Sequence, residues 1–388
     1  MHTDARPGTS PAPRHRERGQ ILVLVAGGLV AMLAVVGLVI DGGYAFAQQR
    51  GSQNGADAAA TAGALVIAQN LPFRAVGQAG LKTDADVAAA VNGAATNNQL
   101  GSVEAVYTDI GGNPLNPAVR VGALGTGSPP PASAAGVAVT ATKAFNTFFA
   151  RVVGIDSVAA TTDATAVAGY AESAGAGNLL PVTIPLNIIT CLNNGNFETV
   201  QPPNIWPLNA PVPVILPLCK GPASGNVGWL DWYPPGGGTS ELVDAILSPS
   251  NPAIRIPSWQ FVTETGNVNA KQVEDALNTY AGKTVLIPFF DNACTNPNTA
   301  TNSECPDGSG PGTGQNNWYH MPLFFGFKMQ DVKAAFLTGS NPECGTEWSG
   351  AGCLIGTITS FLPTGITVGA GSGTELDAYS AVGVQLIK

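Results

Sequence analysis

Charge and histidine are scarce in this sequence, and their scarcity narrows the classes of function. Charged residues make up 11% of the 388 residues, the net charge is −9, and there are 3 histidines. No basic run lies outside the N-terminal tail, which argues against nucleic-acid binding because phosphate neutralisation needs clustered lysine and arginine. We therefore expect no nucleic-acid partner.

Motifs that carry enzymatic chemistry are also missing. The sequence has no Gly-x-Ser-x-Gly elbow and no Cys-x-x-Cys pair, and no Gly-Lys-Ser/Thr motif follows the glycine run at 236–238. His320 lies among aromatic residues, where a packing histidine is more common than a catalytic base. Asp231, Asp291 and Asp307 are predicted to occupy turns or the surface, and the loop 291–310 lacks EF-hand spacing for calcium. The sequence thus predicts a protein that is not an enzyme and has no cofactor or metal site.

Against these absences stands one long apolar run, Ile21–Ile40, which contains no charged residue. As a helix it would extend about 30 Å, the thickness of a bilayer core. The predicted membrane-spanning residues include Ile21, Leu22, Val23, Leu24, Val35, Val36, Leu38 and Ile40. A cleaved signal peptide is the alternative, but its apolar region is shorter and is followed closely by a small-residue cleavage site.

The flanks of the run predict its orientation. Arg14, Arg16 and Arg18 precede it and Asp41 follows it. The positive-inside rule then places residues 1–18 in the cytoplasm as a disordered tail and the bulk of the chain outside. We expect a single-pass protein of the inner (cytoplasmic) membrane, with the lipid bilayer as its first partner.

The helical pattern continues beyond the run, because no proline occurs between Tyr44 and Ala68. Small or apolar residues recur there at steps of three and four, at Tyr44, Ala47, Gly51, Asn54, Ala58, Thr61, Leu65 and Ala68. This predicts one transmembrane and stalk helix over residues 19–70. The glycines weaken an isolated helix, so the stalk must pack on something. We favour the protein's own body, and a partner helix or self-association through the small-residue face is the alternative.

The remaining chain predicts an α+β fold in two parts. Residues 71–170 are expected to form a small α+β domain, with a break at Pro72 and a helix capped at Thr83 and Asp84. Its predicted strands are 103–110, 137–142 and 158–168, and residues 145–153 are predicted to form an amphipathic helix that buries Phe148, Phe149 and Val152.

Residues 178–388 are expected to form a β-rich extracytoplasmic domain, a sandwich or partial barrel. Strands are predicted at 180–189, 227–232, 260–263, 284–290, 321–327, 354–361 and 381–387. Two helices are predicted, one capped near Thr239 or Ser240 and one over 269–280 with Val273, Ala276 and Leu277 on one face.

All cysteines lie in this second part, at Cys191, Cys219, Cys294, Cys305, Cys344 and Cys353. An even number outside the cytoplasm predicts disulfides, for which 15 connectivities are possible. Sequential pairing is the simplest prediction, because two of the pairs flank loops rich in Gly, Pro and Asn. Reduced thiols are the alternative.

The N-terminal motifs carry a family resemblance. They are Arg18-Gly19-Gln20, the apolar run, Asp41-x-Gly43, Arg50, and an Ala-Asp-Ala-Ala string around Asp57. This order resembles the N-terminal signature of the TadE/TadG-like family of Flp pilus-assembly proteins. The segments Val137-x-Val139, Phe145-x-x-Phe148-Phe149 and Asp163-Ala164 resemble, more loosely, the region downstream of that signature in TadG-like proteins.

The resemblance implies a non-catalytic, single-span envelope protein that takes part in assembling a pilus, with pilus or secretion-platform proteins as partners. Pilin-like members carry a glutamate where this chain has the apolar Leu24 and Val25, which argues against prepilin-type cleavage between Gly19 and Gln20. A stand-alone tethered adhesin or binding protein is the alternative function, and an anchored hydrolase is a more remote one.

Overall fold

The structure is a computed structural model, and its description covers most of the chain. The described residues are 18–78, 80–177, 179–185, 188–191, 197–200, 214–219, 228–230, 238–265, 271–294, 317–333, 351–359 and 366–387.

The described helices begin with one element much longer than the others. They are α1 (Arg18–Ala68), α2 (Leu71–Ala75), α3 (Asp84–Asn97), α4 (Thr239–Leu247) and α5 (Lys271–Asn278), with short 3-10 helices at Ala150–Val153 and Glu375–Tyr379. The prediction of one continuous helix through the apolar run and the stalk is confirmed, and Pro72 lies just after the break that ends it.

The described part of the chain contains the strands β1 to β17. The first nine are β1 (Ser102–Thr108), β2 (Gly136–Asn146), β3 (Ser157–Ala174), β4 (Val182–Pro185), β5 (Ile188–Cys191), β6 (Phe197–Val200), β7 (Val214–Cys219), β8 (Gly228–Leu230) and β9 (Ile254–Arg255). The others are β10 (Ser258–Thr265), β11 (Thr284–Phe290), β12 (Asn292–Cys294), β13 (Asn317–Met321), β14 (Leu323–Lys333), β15 (Ala351–Thr359), β16 (Ile366–Gly369) and β17 (Val382–Leu386). The coarse prediction of a mixed α+β chain with a β-rich second part is confirmed.

The first sheet is antiparallel and has β3 at its centre. Strand order is β1-β2-β3-β16, and β17 and β9 also pair with β3. Helices α1 and α3 cover this sheet, and small buried residues such as Ala60, Ala64 and Ala164 line the contact. Such residues allow the helix backbone to approach the sheet closely, since they leave little side chain between the two.

The stalk half of α1 packs on this sheet, as expected for packing on the protein's own body, but through a different face from the one predicted. The buried residues are Ser52, Gly55, Ala56, Ala59, Ala60, Gly63, Ala64, Ile67 and Ala68, and of these Ala68 also belongs to the predicted face. Gly51 and Asn54 of the predicted face are exposed. The predicted face was wrong by about one residue, or about 100° of helix rotation, because alanine and glycine occupy every side of this segment.

Helix α3 begins as predicted. The hydroxyl of Thr83 accepts a hydrogen bond from the Asp86 backbone N–H, and the Asp86 carboxylate accepts one from the Thr83 N–H, which completes a capping box. These hydrogen bonds hold the pKa of Asp86 below its ordinary value. Val87 and Val91 are buried against α1.

The helix predicted over 145–153 is wrong. β2 continues through Asn146, which pairs with Ser157 of β3, so residues 147–156 form the tip of a β2–β3 hairpin. The tip contains only the 3-10 helix Ala150–Val153, and Phe148, Phe149 and Val152 are exposed instead of buried. The apolar residues that are spaced as in a helix here lie on the surface of the protein and not in its core.

The second sheet is mixed and has nine strands in the order β12-β13-β10-β8-β4-β11-β14-β15-β7, with β4 and β11 parallel. Helices α4 and α5 pack on it, and Val273, Ala276 and Leu277 are buried as predicted. Helix α4 begins after Gly238, so neither Thr239 nor Ser240 is its N-cap. The described strands form this sheet, the first sheet and a β5–β6 pair, and the sandwich or partial barrel stays a prediction.

The first sheet contains strands from both sides of the predicted boundary at residue 178. β9, β16 and β17 lie in the C-terminal part of the sequence but pair with β3. A third buried cluster, which includes Ala171, Leu179, Phe290 and Phe324, joins the sheets. The C-terminal strands therefore complete the sheet on which α1 packs.

Candidate functional site at the end of the apolar helix

The apolar run of α1 is almost fully exposed. Of residues 21–40, Gly37 is buried and every other residue is exposed. Among the described residues, α1 is the one helix long and apolar enough to cross a membrane. The helix of a soluble protein would bury part of such a surface. The exposed run therefore leaves a large apolar area available for contact with lipid or with another protein.

Asp41 begins the junction between this run and the body. Its Oδ1 accepts from the backbone N–H of Phe148 at 2.8 Å, and its Oδ2 accepts from the N–H groups of Phe149 at 3.0 Å and Ala150 at 2.6 Å. A carboxylate that accepts several backbone donors makes strong, charge-assisted hydrogen bonds. Asp41 thus caps the first turn of the hairpin tip from another element.

Aromatic and glycine contacts flank Asp41 on the same face of α1. The ring of Tyr44 makes edge contacts with Phe145 and Phe148, at centroid distances of 5.6 and 5.1 Å. A Cβ added at Gly37 would stand 2.9 Å from the Cβ of Phe149, so Gly37 is where the tip touches the apolar run. The spacing of Gly37, Asp41 and Tyr44 is helical, and the three residues form one contact stripe.

Polar contacts continue this attachment along the stalk. Ser52 shares a buried hydrogen bond of 3.1 Å with Thr162 of β3. The side-chain amide of Gln53 donates to the carboxylate of Asp57 and to the carbonyl oxygen of Asp163. Asp57 therefore positions Gln53, which is bonded to β3.

The other predicted signature residues have less defined roles. The guanidinium of Arg50 lies 5.8 Å from the ring centre of Phe46, an exposed cation–π contact. A Cβ at Gly43 would meet nothing within 4 Å, so the structure does not explain that glycine. Arg18, Gly19 and Gln20 form the start of α1, and their side chains lie outside the described part of the chain.

His320 and Asp291, the residues considered for hydrolysis, are brought together. Nδ1 of His320 lies 2.6 Å from Oδ1 of Asp291, and the histidine is buried beside the ring of Trp259. The other ring nitrogen, Nε2, is buried and has no hydrogen-bond partner among the described residues, so none of these supplies a nucleophile to the pair. Asp231 and Asp307 lie outside the described residues.

A cleft of about 440 Å³ beside α2 also contains titratable groups. The hydroxyl of Tyr170 donates to the carbonyl oxygen of Leu71, and burial raises the pKa of this tyrosine. Asp109 accepts from the N–H of Asn113, and Asp377 accepts from the N–H groups of Ser372 and Gly373. Each of these groups already stabilises a turn or a chain contact.

The described residues bear on metal binding and on disulfide bonding. Within the described ranges, no group of three or more His, Cys, Asp and Glu residues could hold a metal ion. Cys294 is buried and disulfide-bonded. The pairing of the six cysteines depends on side chains outside the described set, so the sequential connectivity stays a prediction.

The site that these observations define is structural: contacts of Gly37, Asp41 and Tyr44 join an exposed apolar helix of membrane-spanning length to an α+β body. Residues 19–69, which make up nearly all of α1, match the family model described as "Putative Flp pilus-assembly TadE/G-like". This match confirms the resemblance predicted from the N-terminal motifs. Searches of the curated proteins and of the solved structures found no match.

Sequence reasoning missed the partner of Asp41. The two motifs that resemble the family, one around Asp41 and one around Phe148, are separated by 107 positions. Each motif resembles the family on its own, but no local pattern links Asp41 to Phe148, and only the fold shows that Asp41 caps this distant turn.

Proposed function

We propose that the protein is anchored in the inner membrane by α1 and is a structural or assembly component of a Flp/Tad-type pilus. The single observation that carries this proposal is the match of residues 19–69 to the pilus-assembly family. The exposed apolar run supports the membrane anchor, and the arginines before it support a cytoplasmic N-terminus with the body on the extracytoplasmic side.

We further propose that the protein acts through contacts rather than catalysis. Its partners would be the lipid bilayer and pilus or secretion-platform proteins, and the face of α1 that carries Gly51 and Asn54 is free to meet them or a second copy. The extracytoplasmic location favours disulfides among the six cysteines. The predicted domains, 71–170 and 178–388, would then be two parts of one body, because strands of the second part pair with β3 of the first sheet.

Protease treatment tests the topology. In intact cells whose outer layers are permeabilised, we expect the body after Asp41 to be digested, while an epitope placed in residues 1–17 stays protected. Digestion of the body only after the inner membrane is broken would reverse the predicted orientation and remove the envelope role.

Gene deletion followed by imaging of surface filaments tests the assembly role. We expect filaments to be lost or shortened, and to return when the full chain is expressed again. Normal filaments with impaired attachment would favour the tethered adhesin instead.

Photocrosslinking tests the partners. A photoreactive amino acid at Gly51 faces open space, since a Cβ there meets nothing within 4 Å. We expect capture of a pilin or secretion-platform protein from this position. A matched variant at Leu124, in the loop beside the start of α3, controls for random collisions.

A further inference from the structure

The hairpin tip presents an apolar surface that the described residues leave largely exposed. We define the apolar tip as Phe148, Phe149, Val152 and Ile155, whose exposed fractions are 57%, 44%, 83% and 50%. Four large apolar side chains exposed within eight positions form the kind of patch that marks an interaction surface.

The position of the apolar tip along α1 is fixed by contacts. Phe149 packs on Gly37, Asp41 caps the backbone of the tip, and Tyr44 contacts Phe148. Gly37 lies three residues before the end of the apolar run, which is about 4.5 Å along the helix axis. The apolar tip is therefore level with the last turn of the run.

The position of the apolar tip along α1 indicates which environment contacts it. If the run from Ile21 to Ile40 lies in a bilayer, a side chain touching Gly37 must lie at the depth of Gly37. The aromatic rings of Tyr44 and Phe46 lie just beyond the run, where amphipathic and aromatic residues meet lipid headgroups. The backbone N–H groups of Phe148, Phe149 and Ala150, which would be costly to leave unpaired near hydrocarbon, are all satisfied by Asp41.

The charges beside the tip favour apolar insertion over attraction to anionic headgroups. Arg151 and Asp156 are both exposed there and carry opposite signs. No net positive charge results from this pair, so apolar area would drive the contact.

We propose that the apolar tip inserts into the interfacial region of the extracytoplasmic leaflet, and that the body thereby contacts the bilayer at a second place beside α1. This inference rests on the proposed membrane anchor. It implies that the body is held at a fixed orientation on the membrane rather than swinging on a free stalk.

Photocrosslinking of the full chain in native membranes tests the inference. Benzoylphenylalanine would replace Phe148, Val152, Leu38 or Leu124 in four separate variants, and adducts would be identified by mass spectrometry. Leu38 reports on the run itself. Leu124 is the exposed control. Its backbone N–H donates to Asp84 at the start of α3. Helix α3 contacts α1 near Gly63, more than 20 residues after the end of the apolar run.

We expect phospholipid adducts at Phe148, Val152 and Leu38, and none at Leu124. Lipid adducts at Leu38 with none at the two tip positions would overturn the inference and leave the anchor standing. Adducts between the tip and another protein would overturn it too, by giving the tip a different partner. An absence of lipid adducts at all four positions would overturn the proposed anchor together with the inference.

Discussion

At the scale of single residues, Asp41 joins the apolar helix to the body through hydrogen bonds to three backbone amides. Replacing Asp41 with Asn keeps the shape but removes the charge and one acceptor oxygen. We expect the amides of Phe148, Phe149 and Ala150 to exchange hydrogen about threefold faster or more. Each hydrogen bond to Asp41 modestly stabilises the folded tip against local opening, and the variant loses part of this stabilisation. Hydrogen exchange followed by mass spectrometry measures this.

Asp57→Asn is the matched control for that experiment. Asp57 lies on the same helix but accepts a hydrogen bond from Gln53 and makes none to the hairpin tip. Its replacement should leave exchange in the tip unchanged. Equal exchange in the Asp41 variant and the original chain would contradict the capping role.

Tyr107 is a second residue whose role can be measured. Its buried hydroxyl donates to Oδ1 of Asp84 at 2.6 Å, and Asp84 also accepts from the N–H groups of Gly122 and Leu124. Tyr107→Phe would remove one donor from a buried carboxylate, and we expect it to lower the free energy of unfolding by about 1–2 kcal/mol at pH 7. Chemical denaturation in detergent measures the change.

The same tyrosine predicts a dependence on pH. Burial first, and then the hydrogen bond and negative charge of Asp84, raise the pKa of Tyr107 above its ordinary value. Because the folded pKa is raised, this contribution to stability is complete below the unfolded pKa of about 10 and is lost as the pH rises above it. The stability difference between the original chain and Tyr107→Phe should therefore shrink above about pH 10. A constant difference across that range would contradict it.

At the scale of elements, the packing of α1 on the first sheet depends on glycines that face it. A Cβ at Gly63 would stand 2.9 Å from side-chain carbons of both Val91 and Val137, whereas one at Gly51 meets nothing within 4 Å. We expect Gly63→Leu to destabilise the fold by about 1–3 kcal/mol through overpacking. Gly51→Leu should be neutral, or stabilising by up to about 1 kcal/mol, because leucine favours a helix over glycine.

The pair of leucine variants also distinguishes the two faces of α1. If the predicted face with Gly51 were the packed one, the order of the two effects would be reversed. Thermal unfolding of both proteins, followed by far-ultraviolet circular dichroism, decides between the faces.

Sequence patterns predicted elements well where a face was chemically distinct. The helix cap at Thr83 and the buried residues Val273 and Leu277 follow from side-chain type and spacing, and the structure confirms them. The packed face of α1 was predicted wrongly because alanine and glycine lie all around the helix. The apolar residues of the hairpin tip were assigned to a core, because the spacing of apolar residues alone does not show whether they are buried or exposed.

At the scale of the whole molecule, the sequence predicted two successive domains but could not predict which strands cross between them. Strand pairing between β3 and β16 or β17 joins residues about 200 positions apart. No local pattern specifies such partners. The junction at Asp41 was beyond prediction for the same reason, because its donors lie more than 100 positions away.

The crossing strands predict that the first sheet depends on the C-terminus. β17 pairs with residues 166–170 of β3, and β16 pairs with residues 170–174. A chain ending at residue 365 would leave the backbone groups of this half of β3 without those partners and would remove Val382 from the core on which α1 packs. We expect amides in 166–174 to exchange about tenfold faster or more than in the full chain.

Amides of β1 provide the internal control for the truncation, because β1 pairs with β2 and not with the deleted strands. If the parts before and after residue 178 were independent, β3 and β1 would both keep their exchange rates in the shortened chain. Faster exchange in 166–174 with little change in β1 would instead mean that the C-terminal strands stabilise the surface on which α1 rests.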